Sequence, residues 1–131
     1  MEKIKLSFEE PTYFINHDKK TVTCKVEFRI KGNPRILNYL DQVSFAYKNE
    51  LLTGYHTAIA TAKLNPLDQF DVNAGIKVAR AKAESWAYQM VNSHIKNTLK
   101  KCMVEVYDVV KDFEEKASNV KEHNNKYIQS F

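Results

Sequence analysis

The chain has 131 residues, a mass of 15.2 kDa and a formal charge of +4, which is one domain's worth of polypeptide, so a single domain over 1–131 is expected. Hydrophobic residues at 44% and charged residues at 27% exclude wholesale disorder, and the apolar runs are too short to cross a bilayer. The base is 17 Lys against 3 Arg (Arg29, Arg35 and Arg80), whereas a dedicated reader of duplex DNA uses the bidentate fork of Arg, so DNA is not an expected partner.

Glycine and proline divide the chain unevenly. Pro11, Gly32, Pro34, Gly54, Pro66 and Gly75 fall in its first 75 residues, and Ile76 to Phe131 contains neither type. Strands and turns are therefore predicted over 1–70 and helix over 71–131. Ile4, Leu6 and Phe8 recur at every second position and suggest a first strand. Thr12–Asn16 and Thr21–Ile30 read as two more, joined by a turn at His17-Asp18-Lys19-Lys20. In the last of these Val22, Cys24, Val26, Phe28 and Ile30 alternate with polar residues, the pattern of a sheet with one buried face. Ile36–Phe45 is ambiguous: Ile36, Leu37, Tyr39 and Leu40 could form a short helix before a strand at Val43–Tyr47. Gly54–Leu64 reads as a strand stopped by Asn65-Pro66.

Asp71 is the predicted N-cap of the helical half. Val72, Ile76, Ala79, Ala83, Trp86 and Met90 follow as its apolar stripe, which makes Trp86 core and leaves Tyr88 free for a contact. Asn92-Ser93 is the expected break. A second helix then carries Ile95, Leu99, Cys102, Val106, Val109 and Phe113 in alternating steps of four and three, a heptad seam. Cys102–Val110 is rich in β-branched residues and could be a strand, but the spacing decides for helix. The fold class expected is α+β: an antiparallel sheet of three to five strands, then two long helices. Because the second helix has more apolar circumference than one thin sheet covers, a homo-oligomer is expected.

The least generic stretch runs from Ala62 to Glu84. A strand ends, a polar loop carries Phe70, and a small-residue helix opens with free backbone N–H groups that suit an anion. Phe70 or Tyr88 offers a face to a base, Lys77 and Arg80 offer donors to phosphates, and Asn73 or Asn92 offers an amide to hydroxyls. The structural alternative is equally concrete: Phe70 packs beside the cap and Arg80 pairs with Glu84 one turn on. Asp68 and Asp71 are spaced as a carboxylate pair, with Asp71 also the cap. The two cysteines are read as reduced thiols, and the scattered His17, His56, His94 and His123 form no metal motif, so no metal or cofactor is expected. No nucleophile elbow, Walker loop, kinase signature or dinucleotide fingerprint is present, and the protein is not expected to be an enzyme.

Pro11-Thr12-Tyr13-Phe14-Ile15-Asn16, the Lys-rich turn, Thr21-Val22-Thr23-Cys24, Thr61-Ala62-Lys63-Leu64-Asn65-Pro66 and Phe70-Asp71 with Gly75 and Ala79-Arg80-Ala81 together resemble small phage and prophage proteins of Firmicutes. Within that class the chain is similar to the first Thoeris anti-defence family, sponges that sequester cyclic ADP-ribose signals and other cyclic nucleotides. The resemblance implies a β-rich N-terminal half, a two-helix C-terminal half, hexameric assembly and residence in the cytoplasm of the bacterial host. It also implies ligand-holding roles for Phe70, Asn73 and Arg80. Beyond Arg80 the helical half carries only lysines as strong bases. The expected function is capture of a cyclic nucleotide immune signal without cleavage. The alternative is a phage inhibitor that binds a host protein, such as a CRISPR effector, through the basic surface around Lys96, Lys100 and Lys101.

Overall fold

The computed structural model describes residues 3–65, 67 and 69–131, with only the backbone of Glu50. Pro66 and Asp68, assigned above to the strand stop and the carboxylate pair, lie outside the described residues, as do Met1 and Glu2. The elements are β1 (Ile4–Phe8), β2 (Thr12–Asn16), β3 (Thr21–Gly32), α1 (Pro34–Tyr47), a 3-10 turn at Glu50–Leu52, β4 (His56–Lys63) and α2 (Val72–Gln129). The class is α+β, with a four-stranded antiparallel sheet, one short helix and one long C-terminal helix. The chain divides into two compact units, Met1–Lys96 and Asn97–Phe131.

In the first unit β3 is the spine of the sheet. β4 pairs along it from Thr21↔Lys63 to Phe28↔His56. β1 and β2 pair with successive lengths of β3: Phe8 opposes Phe28, the Glu9 N–H donates to the Glu27 carbonyl, and Thr12 opposes Lys25. The register slips by one residue between Glu9 and Thr12, where Pro11 has no N–H to give the ladder. This offset is a bulge that lets β1 and β2 act as two segments of one bent strand. At the hairpin the Asn16 side chain accepts from the Lys19 N–H and Lys20 takes a left-handed backbone (φ 52°), the turn chemistry expected from Asn16 and Asp18.

The alternation in β3 sorts its faces as expected. Val22, Cys24, Val26 and Phe28 are buried, Ile30 is half-buried, and Lys25, Glu27 and Arg29 are exposed. The core joins those four to Leu6, Ala58 and Ala62 of the sheet and to Ala79, Ala83, Ala87 and Val91 of α2. The helix thus meets the sheet through a stripe of alanines at four-residue steps. Gly75 sets the approach: a methyl group there would lie 2.7 Å from Val22 Cγ2.

Three expectations need correction. Val43–Tyr47 is not a strand, because α1 runs without interruption from Pro34 to Tyr47. Asn33 accepts from the Arg35 N–H, Pro34 supplies a favourable first-turn φ, and Lys48 ends the helix in a left-handed conformation. Asn92-Ser93 does not break α2, so the two long helices expected over 71–131 are one. Asn and Ser cost a helix only about half a kcal/mol each, too little to stop one that lacks Gly or Pro. Trp86 is not core; it is 44% exposed. The close approach set by Gly75 leaves room under the helix for methyl groups and none for an indole. The segment Cys102–Val110 is helical, as its spacing indicated.

Candidate functional site

At the entry of α2 the structure favours the structural alternative. The Asp71 carboxylate accepts from the Ala74 N–H at 3.2 Å and the Asp71 carbonyl from the Gly75 N–H, so the protein's own anion holds the helix N-terminus. Phe70 is half-buried against the core, with its ring edge-on to His17 at 5.4 Å. Arg80 donates to Glu84 Oε1 at 3.1 Å. Asn73 and Lys77 are exposed.

Arg80 also belongs to a small cluster above the sheet. Tyr13 and Cys24 are cross-strand partners on the face that α2 covers. Burial, then the neighbouring Cys24 thiol, pushes the Tyr13 phenol above its ordinary pKa, with Arg80 pulling the other way. Burial likewise raises the Cys24 thiol; Arg80 and Tyr13 oppose that rise and Glu84 adds to it. Glu84 raises Arg80 further. A fully buried thiol held protonated is a poor nucleophile, so this cluster is built to pack.

Tyr88 and Asn92 lie elsewhere. From Asn73 to Asn92 is about 28 Å along the helix axis, too far for all six predicted residues to hold one small molecule. The structure brings these two together in a cleft of about 200 Å³ between β1 and α2, lined by Ile4, Lys5, Leu6, Ile30, Tyr88, Val91, Asn92 and Ile95. The Tyr88 ring leans on Phe8 (6.1 Å between centroids), and its hydroxyl accepts from the Leu6 N–H at 3.3 Å. Tyr88 is therefore fixed in place, although sequence reading left it free. That Leu6 N–H points away from β3, and in an antiparallel ladder the carbonyl of the same residue points the same way. The cleft thus presents an aromatic ring, an amide and a strand edge that, among the described residues, no further strand pairs, in a mostly apolar hollow.

Sequence reading missed β1's share of this site, including Lys5, the cation among the lining residues. The signal was absent locally, since the two walls come from segments more than 80 residues apart. Among the described residues no group of three or more His, Cys, Asp or Glu side chains gathers to hold a metal ion, and no helix is long and apolar enough to cross a membrane. Comparison with protein-family models, with curated proteins and with solved structures finds no match to this chain.

Proposed function

We propose that this protein binds and holds, without chemical turnover, a small ligand that joins a flat heterocycle to an anionic group, in the cleft between β1 and α2. The class is that of cyclic ADP-ribose and the cyclic nucleotides, and the role is phage anti-defence by sequestration of the host's immune signal. The observation that carries this reading is the convergence of Tyr88, Asn92 and the free edge of β1 on one apolar hollow. Tyr88 offers a ring to a base, while the Asn92 amide and the Leu6 carbonyl offer hydrogen bonds to its edge or to ribose hydroxyls. At about 200 Å³ the hollow is smaller than the roughly 300–1,000 Å³ typical of small-molecule sites. It therefore takes the heterocycle and leaves the phosphates at the rim. Lys5 alternates to the far face of β1, but on an edge strand its flexible stem reaches round to that rim. The polar side chains at the cleft are binders, a phenol and an amide in its wall and the Lys5 ammonium within reach of its rim, with no nucleophile set beside a base.

The test is capture and release. Purified protein is mixed with cyclic ADP-ribose isomers and cyclic oligonucleotides, filtered to remove free ligand, heated, and the supernatant assayed by mass spectrometry. Recovery of one compound, chemically unchanged and depleted from the filtrate, supports the reading. Passage of every compound through the filter sinks it.

A further inference from the structure

β1 and β4 lie on opposite sides of the β3 spine, so the sheet has a second edge, away from the cleft. The phase of the ladder shows what that edge presents. The Leu64 N–H donates to the Lys20 carbonyl, one step beyond the Thr21↔Lys63 pair, so the even-numbered residues of β4 bond to β3. Thr57, Ile59 and Thr61 therefore turn their N–H and C=O groups outward, and among the described residues no further strand takes them. Natural edges are blunted by proline, by bulges or by charge. β4 keeps its register on β3 from end to end, contains no proline and carries a single lysine, at its last position. Its guard is Lys82 of α2, whose ammonium donates to the Thr61 carbonyl at 3.3 Å and leaves that oxygen a second lone pair.

Apolar groups border this edge on both sides. Ile59 is 56% exposed on the open face of the sheet. Val78 and Trp86, each nearly half exposed, stand one turn either side of Lys82 and share its flank of α2. The occupant is therefore an extended strand with apolar cover above and below its edge, and β4 itself meets that description. Symmetry selects it. α2 runs along β3, with Gly75 against Val22 and Ile95 beside Ile30, so Lys82 lies near the level of Lys25, whose partner in β4 is Ile59. The centre of the free edge and the centre of the Val78–Trp86 pair thus fall at one level, and a single two-fold axis serves both. That axis sets Ile59 against Ile59, Thr57 against Thr61 and Ala58 against Ala60 of the second copy, and turns Trp86 toward the second copy's Val78. The Thr23–Thr61 hydroxyl contact, at 2.8 Å, gains Thr57 of the other copy as its next neighbour. Lys63 falls opposite Tyr55 and not opposite itself. The two Lys82 ammoniums rest on Thr61 carbonyls four residues apart along the seam, about 13 Å, beyond the Debye length of ~8 Å.

We propose that β4 pairs antiparallel with β4 of a second copy, two-fold about Ile59, so that two four-stranded sheets become one. The interface is on the edge opposite the cleft and does not depend on it. Sedimentation equilibrium of the full chain at 1–100 μM tests the proposal, with circular dichroism to check the fold. The expected species has twice the mass of the 15.2 kDa chain. Ile59→Pro removes an N–H that β3 does not use, at an edge position where proline is tolerated. It should keep the native spectrum and weaken association by about tenfold or more. Ile59→Lys leaves the backbone alone and should weaken it as much, by setting two ammoniums side by side on the axis. A cross-link reads the register. In a Cys102→Ser background, Ile59→Cys with oxidised glutathione should give a disulfide-linked dimer, because facing residues of a bonded pair have Cα atoms ~5.5 Å apart. Thr57→Cys, about 13 Å from its own copy, should not. A natively folded chain that stays monomeric at 100 μM overturns the proposal. A dimer indifferent to both Ile59 variants, or one that cross-links through residue 57 in place of 59, overturns it as well.

Discussion

Gly75 decides how near α2 comes to the sheet, and a single methyl group tests it. Alanine is the better helix former by about 1 kcal/mol, so helix propensity alone favours Gly75→Ala. The added Cβ, however, would sit 2.7 Å from Val22 Cγ2, and Val22 is fully buried in the central strand with nowhere to retreat. Overpacking of this kind costs about 1–3 kcal/mol, so urea denaturation should show Gly75→Ala less stable than wild type. A more stable variant would show that the helix can ride higher. The Tyr13–Cys24 pair makes a second residue-scale prediction. Both acids have folded-state pKa values above their ordinary values of 10.0 and 9.0. The unfolded chain therefore releases these protons first and binds fewer of them, and stability falls as pH rises through about 9 and beyond. Melting temperatures between pH 7 and 10.5 should decline across that window, less steeply in Cys24→Ala. A flat profile in wild type would remove the argument.

At the scale of elements, α1 and α2 take 14 and 58 of the 131 residues, more than half the chain in helix. If α2 is continuous, amide hydrogen exchange across Asn92 and Ser93 should be as slow as in the turns on either side. A fast-exchanging pair at those positions would restore the two-helix arrangement. The elements that sequence reading found were those whose pattern is local. Val22, Cys24, Val26 and Phe28 announce a one-sided strand, Asn16 and Asp18 a turn, and Asp71 a cap. Where it failed, a distant partner overrode a local rule. Trp86 is the most hydrophobic residue on its helix turn, yet alanines took the core because Val22 and Gly75 fixed the spacing first. Val43–Tyr47 looks like a strand, but Asn33 and Pro34 had already started a helix that nothing before Lys48 stops. Of the candidate site, Tyr88 and Asn92 were legible as an aromatic and an amide one turn apart. The wall that makes a cleft of them, the edge of β1, was not, because strand pairing alone carries it there.

At the scale of the molecule, the ligand binding proposed here falls to the first unit, in the cleft between β1 and α2. The helix entry, where an anion was first expected, is occupied by the protein's own groups: Asp71 on the backbone N–H groups and Glu84 on Arg80. This separates the two candidate places for a ligand by variants that leave the core alone. The decisive measurement is the calorimetric affinity of the captured compound for wild type, Asn92→Ala, Lys5→Glu and Arg80→Ala. Leaving a buried polar group of the ligand without its partner costs about 1–3 kcal/mol, and losing a hydrogen bond between charged groups at the rim about 1.5–3 kcal/mol. Asn92→Ala and Lys5→Glu should therefore each weaken binding by about tenfold or more, while Arg80→Ala stays within about twofold of wild type. Loss of binding in Arg80→Ala with Asn92→Ala and Lys5→Glu unaffected would contradict the account, and so would a wild-type protein that takes up no heat with any of the nucleotides.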